Sequence, residues 1–393
     1  MHGENERLRA RGPATLVALP GGVEAWSVNS QALIKRLLTD PRVSKDTRQH
    51  WPAWINGEIP ADWPLQIWVA VKNMFTAYGG DHKRLRTLVS KAFTARRTAA
   101  LQPRIEEITA RLLDRLAATP AGEAADLRTE FAYPLPISVI CELFGVPAEA
   151  QGDLHTAVDT IFRTTATAEE VAEGQLKLYK VLTALVAEKR VNPGDDMTSG
   201  LIAAREEGDD SALSETELLD TLILMLSAGH ETTVNLLDNA IHALLTHPEQ
   251  LALVRSGEVT WDDVIEETLR AEAPVANLPL RYAVEDIDLG EGLVIAKGEP
   301  ILIAYAAAGR DPGVHGADAG AFDLKREAKD HLAFGHGVHF CLGAPLARLE
   351  ARIALPALFD RFPNLALAVP ADELEPMESF ISNGHKALPV RLR

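Results

Sequence analysis

The sequence predicts a mainly α-helical protein with a minor β region, and three observations carry that class. Apolar residues recur at three- and four-residue steps, with charge between them, in "HKRLRTLVSKAF" (82–93) and "RIEEITARLLDRLAA" (104–118). The stretch from Ser214 to His247 is apolar over much of its circumference. Ser214 and Glu217 are spaced for a capping box at its start, and Pro248 closes its far end. Strand-like pieces are confined to "LVALPGGVEAWSV" (16–28), "VEDIDLGEGLVIAKGEPILIAYA" (284–306) and the final "LPVRLR", each broken by glycine or proline turns. Helix takes over from about Asn73, and one small sheet is expected from the chain ends and the 284–306 region.

The chain has 393 residues, 47% of them hydrophobic, enough for one large or two ordinary domains. Its turn clusters at 118–126, 192–199 and 205–210 are too short to act as linkers, so 1–393 reads as a single domain. Acidic residues outnumber basic ones 56 to 39, for a net charge of −17. That balance argues against nucleic-acid or anionic-membrane binding. Cys141 and Cys341 are far apart and form no CxxC pair, which argues for a reducing compartment without a disulfide framework. No secretory h-region or apolar run of about 18 residues is visible. The expectation is a cytoplasmic monomer with no membrane anchor.

The middle of the long helix, "AGHETT" (228–233), breaks its own pattern. An interior glycine costs about 1 kcal/mol relative to alanine, and a buried carboxylate costs more unless partnered. Gly229 is either a packing glycine beside a polar face or a local opening that presents Glu231 and Thr232 to a ligand. A zinc-protease helix is excluded, because Val234 stands where HExxH needs its second histidine.

In "HLAFGHGVHFCLGAPLARLEAR" (331–352), Cys341 is framed by glycines and histidines. A core thiol is one reading. Zinc held by His336, His339 and Cys341 is a second, but a closed site wants a fourth ligand and none is nearby. A third reading fits the pattern better. The glycines permit a tight turn, and Pro345 suits the first turn of a helix. Cys341 then sits just before a helix N-terminus, where free N–H groups and the dipole lower a thiol pKa. That is the setting a single axial haem ligand requires. Cys141, in "SVICELFGVP", reads as a core thiol.

"FGHGVHFCLG" (334–343) resembles the haem-binding loop of the cytochrome P-450 haem-thiolate monooxygenases. "AGHETT" is similar to that family's oxygen-activating helix, and "EETLR" to its Glu-x-x-Arg pair. "FDLKR" (322–326), "DHKRLR" (81–86) and "PLRYAVEDIDL" (279–289) follow the family's order as well. The resemblance spans roughly residues 20–390.

It implies the cytochrome P-450 fold, heme b as cofactor and Cys341 as its metal ligand, within a loop shaped by Phe334, Gly335 and Gly343. Ala228 and Gly229 would face the haem, with Glu231 and Thr232 delivering protons during oxygen activation. His82, Arg86, Arg281 and His339 would hold the haem propionates. Glu267, Arg270 and Arg326 would form a buried structural network.

The substrate pocket would be lined from residues 59–75 and by Leu224, Ala228, Val275, Leu278, Phe380 and Ile381. The implied reaction inserts oxygen from O2 into a bulky lipophilic molecule, with electrons from a ferredoxin and ferredoxin reductase. "NMFTAYGGDHKRLR" (73–86) and "PRVSKDTRQHWPAWINGEIP" (41–60) resemble an actinobacterial subfamily that hydroxylates macrolides and steroids. A ferredoxin would dock on cations near the cysteine: Lys83, Arg84, Lys91, Arg96, Arg97, Arg348 and Arg352. Aryl coupling, peroxide-driven oxidation and a non-catalytic haem sensor are the alternatives. The Glu231–Thr232 pair counts against the latter two.

Overall fold

The computed structural model describes residues 1–152, 154, 167–204, 212–290 and 292–393. The expected loop at 205–210 lies outside the described residues.

One helix, Glu215–Thr246, organises the molecule. The capping box forms as expected: the Glu217 N–H donates to Ser214 Oγ, and the Ser214 N–H donates to Glu217 Oε2 at 2.8 Å. The helix stops at His247 because Pro248 opens the next one, Pro248–Ser256, at its first turn. At 1.5 Å per residue it spans roughly 48 Å. It packs against the helices Pro134–Phe144, Trp261–Ala271 and Ala344–Arg361. The backbone is helical throughout 228–233, so the local opening weighed above is corrected to a continuous helix. Gly229 is the close-approach glycine of the other reading, since a Cβ there would lie 2.6 Å from Ile140 Cδ1.

Among the described residues there are three sheets instead of one small one. The largest has the order β1-β2-β8-β5-β3, built from Ala14–Ala18, Glu24–Val28, Pro300–Ile303, Leu278–Ala283 and Val43–Ser44. The C-terminal strand β10 (Pro389–Arg391) pairs with β4 (Ala125–Asp126) and β9 (Ala366–Leu367) in a separate sheet. β6 (Ile287–Gly290) and β7 (Leu293–Ile295) form only a hairpin. Helix also begins earlier than Asn73, at His2–Arg9 and then at Gln31–Thr39, whose Leu33, Ile34, Leu37 and Leu38 are buried. That helix constrains the cysteine loop. Gly337 has φ 70°, and a Cβ there would come 2.6 Å from Leu38 O.

Glu267 and Arg270 are fully buried and joined by two hydrogen bonds, 2.7 and 2.6 Å. The remaining Arg270 donors reach the carbonyls of Gly309, Ala319 and Ala321 at 2.6–2.7 Å. Glu267 also accepts the Asp323 N–H at 2.9 Å, and Arg326 Nε lies 3.7 Å from it. Glu267 thus meets both arginines, and these contacts anchor the segment that leads into the cysteine loop. Arg270→Met strands a buried carboxylate and is expected to cost about 3–5 kcal/mol. The measurement is the denaturant midpoint at unchanged slope. A loss no larger than the ~1 kcal/mol of a surface pair would contradict the anchoring role.

Candidate functional site

Cys341 lies just before the helix Ala344–Arg361, with Pro345 in the first turn as expected. Gly335 and Gly337 turn through positive φ, 73° and 70°, which brings Phe334 O within 2.8 Å of the Cys341 N–H. The backbone N–H groups of Gly343 and Ala344 donate to the Cys341 sulfur. Phe334 stacks beneath the Arg348 guanidinium, 4.5 Å from its centroid.

Cys341 carries exposed surface, yet protein surrounds it densely, so its sulfur faces a walled recess and not bulk water. Burial pushes this thiol up, and the two N–H groups, Arg86 and Arg348 offset that only in part. The expectation of a lowered pKa is thus corrected: desolvation outweighs the helix terminus. A sulfur so placed becomes a stable thiolate when a metal cation binds it. Cys141, buried and pushed up to about 12 by desolvation, is the inert core thiol expected.

Beside the loop, His82 and His339 meet with ring centroids 4.1 Å apart. Arg281 is buried next to them and hydrogen-bonds Tyr305. Burial, together with the nearby Arg86 and Arg281 charges, lowers His82 to about 4. His339 and Arg281 are pushed toward their uncharged forms too, mainly by burial. His82 Nε2 and Arg281 Nε are buried with no hydrogen-bond partner. Arg86 spends one donor on Phe340 O at 2.7 Å. A cluster of nitrogen donors without a carboxylate is costly unless anions complete it. Its chemistry fits the carboxylates of a haem and charge-assisted hydrogen bonding to them. Among the described residues, no three His, Cys, Asp or Glu side chains converge to hold a metal ion by themselves.

Ala228 is exposed midway along an otherwise buried helix, and Gly229 and Thr232 are half-buried, so an internal recess opens there. Thr232 Oγ1 donates to Ala228 O at 2.7 Å, the usual resting bond of a helical threonine. Glu231 is buried and accepts from Arg128 Nη2 at 2.9 Å. Arg128 also reaches Asn235 Oδ1 at 2.9 Å, with Asp238 at 3.7 Å. Sequence reasoning missed Arg128, because 103 residues separate it from Glu231. The one clue was the need to partner a buried carboxylate.

The expected pocket residues divide. Leu224, Val275, Leu278 and Phe380 are half-buried. Ile381 is corrected to a core position: it is fully buried, and its carbonyl accepts the Ala276 N–H at 2.7 Å. A cavity of about 510 Å3 adjoins residues 61–71, with Leu178, Tyr179, Asp220 and Ile223 on its other walls. Residues 59–75 therefore do supply a cavity wall, but the central helix contributes Asp220 and Ile223 in place of Leu224. The cavity does not touch Cys341 or Thr232.

Four of the seven expected docking cations are engaged in ion pairs: Arg84 with Glu217, Arg97 with Asp195, Arg348 with Glu266 and Arg352 with Asp262. The Trp261–Ala271 helix supplies the acidic partners of the last two, Glu266 and Asp262.

Comparison with known proteins supplies the family. The model described as Cytochrome P450 matches residues 168–256 and 260–383. The chain is 48% identical to 2-hydroxy-5-methyl-1-naphthoate 7-hydroxylase of Streptomyces carzinostaticus, covering 100% of this chain and 95% of that protein. CYP154A1 from Streptomyces coelicolor A3(2) superposes with a TM-score of 0.94 at 58% identity, covering 100% of this chain and 97% of the other. Testosterone-bound CYP154C4 from Streptomyces sp. ATCC 11861 does so with a TM-score of 0.95 at 49% identity, covering 100% and 95%. No helix among the described residues is long and apolar enough to cross a membrane. A thiol offered to one face of a recess, beside donors that lack an anion, accords with these matches: the chain belongs to the cytochrome P450 family of haem monooxygenases.

Proposed function

We propose that the chain hydroxylates a bulky, lipophilic, steroid- or macrolide-like molecule at a C–H bond, as a single-domain cytoplasmic monomer carrying heme b. The observation that carries this is the placement of Cys341 beside a donor cluster with no anion of its own. In this reading the haem supplies O2 activation and oxygen insertion. Cys341 would supply its thiolate ligand, oriented by Gly335, Gly337 and Gly343. His82, Arg86, Arg281 and His339 bind its carboxylates. Ala228 and Gly229 leave room for the ring, because neither carries a side chain beyond Cβ.

Thr232 exchanges its bond to Ala228 O for the oxygen substrate and orients a proton toward it. Glu231 supplies protons from the buried side, and Arg128 fixes its carboxylate between turnovers. Half-buried Leu224, Val275, Leu278 and Phe380 support a bulky lipophilic substrate. The fused-ring molecules named for the naphthoate hydroxylase and the testosterone complex agree with that shape.

Electrons are proposed to come from a ferredoxin and its reductase. The ion pairs on Arg84, Arg97, Arg348 and Arg352 shift the docking charge toward exposed Lys83 and Arg96.

Three measurements test this reading. Cys341→Ala is expected to abolish the red-shifted Soret band of the reduced carbon monoxide complex, whereas Cys141→Ala keeps it; the reverse pattern would move the ligand to the wrong cysteine. Thr232→Ala should retain haem and substrate binding while product per electron pair falls by roughly tenfold or more, the remainder appearing as peroxide. Unchanged coupling would remove Thr232 from proton delivery. For the partner, Lys83→Glu should slow reduction by ferredoxin several-fold, more than Arg352→Glu does. Both effects should fade as salt shortens the Debye length below about 10 Å. A salt-independent rate would contradict electrostatic docking.

A further inference from the structure

We propose that Lys45, which no family motif singles out, is a further haem-carboxylate-binding residue, seated beside Arg281 at the edge of the main sheet. The inference rests on the haem-thiolate reading above. Strand β3 pairs antiparallel with β5 as Val43↔Ala283 and Ser44↔Tyr282. Carried one residue further, that register sets Lys45 opposite Arg281, and directly opposed residues share a sheet face. Lys45 is 3% exposed, and its Nζ lies 3.7 Å from the centroid of the Phe75 ring. Among the described residues it has no ion pair with a carboxylate. Phe75 precedes the helix Gly79–Ala92 that carries His82, so the lysine bridges the sheet edge and the histidine helix.

Two like charges set directly opposite each other are destabilising, and a cation–π contact repays only part of the cost of desolvating an ammonium group. Burial holds Lys45 well below its ordinary pKa, and Arg281 adds to that. Its charge is also felt at His339. Arg281 and Lys45 are the buried members of the cluster whose ordinary form is cationic. Two haem carboxylates match that pair charge for charge, whereas a structural lysine would be expected beside an acidic residue.

The test compares Lys45→Met, Lys45→Gln and Lys45→Arg with wild-type holoenzyme. Two readouts are taken: the rate of haem transfer to excess apomyoglobin and the midpoint potential of the ferric/ferrous couple. The neutral variants should lose haem roughly tenfold faster. Their potential should fall, because an uncompensated carboxylate favours the ferric charge. Lys45→Arg should restore both to near wild type. Wild-type behaviour in the neutral variants would overturn the inference. So would faster haem loss in all three variants at unchanged potential, which would assign Lys45 to packing on Phe75. The wild-type carbon monoxide spectrum tests the underlying reading separately. Its failure to show thiolate ligation removes both, whereas a normal spectrum with indifferent variants removes this inference alone.

Discussion

A sulfur that must bind a metal from one side cannot be held by side chains that compete for it. Around Cys341 the work falls to backbone: positive-φ turns at Gly335 and Gly337, and the N–H groups of Gly343 and Ala344 at the start of a helix. Those groups do not overcome desolvation by themselves, so the thiol awaits a cation. The rest of the molecule serves that geometry. Leu38 presses its carbonyl against Gly337, which fixes the loop from the N-terminal side. Arg270 gathers the carbonyls of Gly309, Ala319 and Ala321, which fixes the approach to the loop from the other. Because that fork is dry and fully paired, it holds position at a cost that only the complete network offsets.

The same economy of charge lets an acidic protein keep a basic cluster beside the cysteine loop. The net charge of −17 is borne on the outside, where even the helices flanking the cysteine have most of their arginines covered by Asp262, Glu266 or Glu217. Inside, His82, Arg281 and His339 face one another with no carboxylate among them. On the central helix the arrangement is reversed. There a buried carboxylate, Glu231, is held by the buried Arg128, next to the half-exposed Thr232.

Local signals were legible in the sequence. The capping box at Ser214 and Glu217 depends on neighbours within a few residues, so spacing places it, while the Glu267–Arg270 pair and the cysteine loop were legible through the resemblance that their short motifs carry. Sheet partition was not legible. The strand at Leu278–Ala283 buries Arg281 along with its apolar neighbours and gives no clean alternation, and β10 finds partners at residues 125 and 367. Arg128 escaped notice for a similar reason, since its partners lie more than a hundred residues away. The thiol direction was misjudged because a helix terminus can be read from sequence, whereas the density of protein around a sulfur cannot. Ile381 was misassigned because an apolar residue near a pocket and one beneath it look alike in a string.

The assignment of Cys341 as sole protein ligand is tested most directly by diffraction from the holoenzyme at the iron absorption edge. The iron peak is expected within bonding distance of Cys341 Sγ, with the haem carboxylates among His82, Arg281 and His339. An iron bound to His336 or His339, or a peak remote from the 334–343 loop, would contradict it.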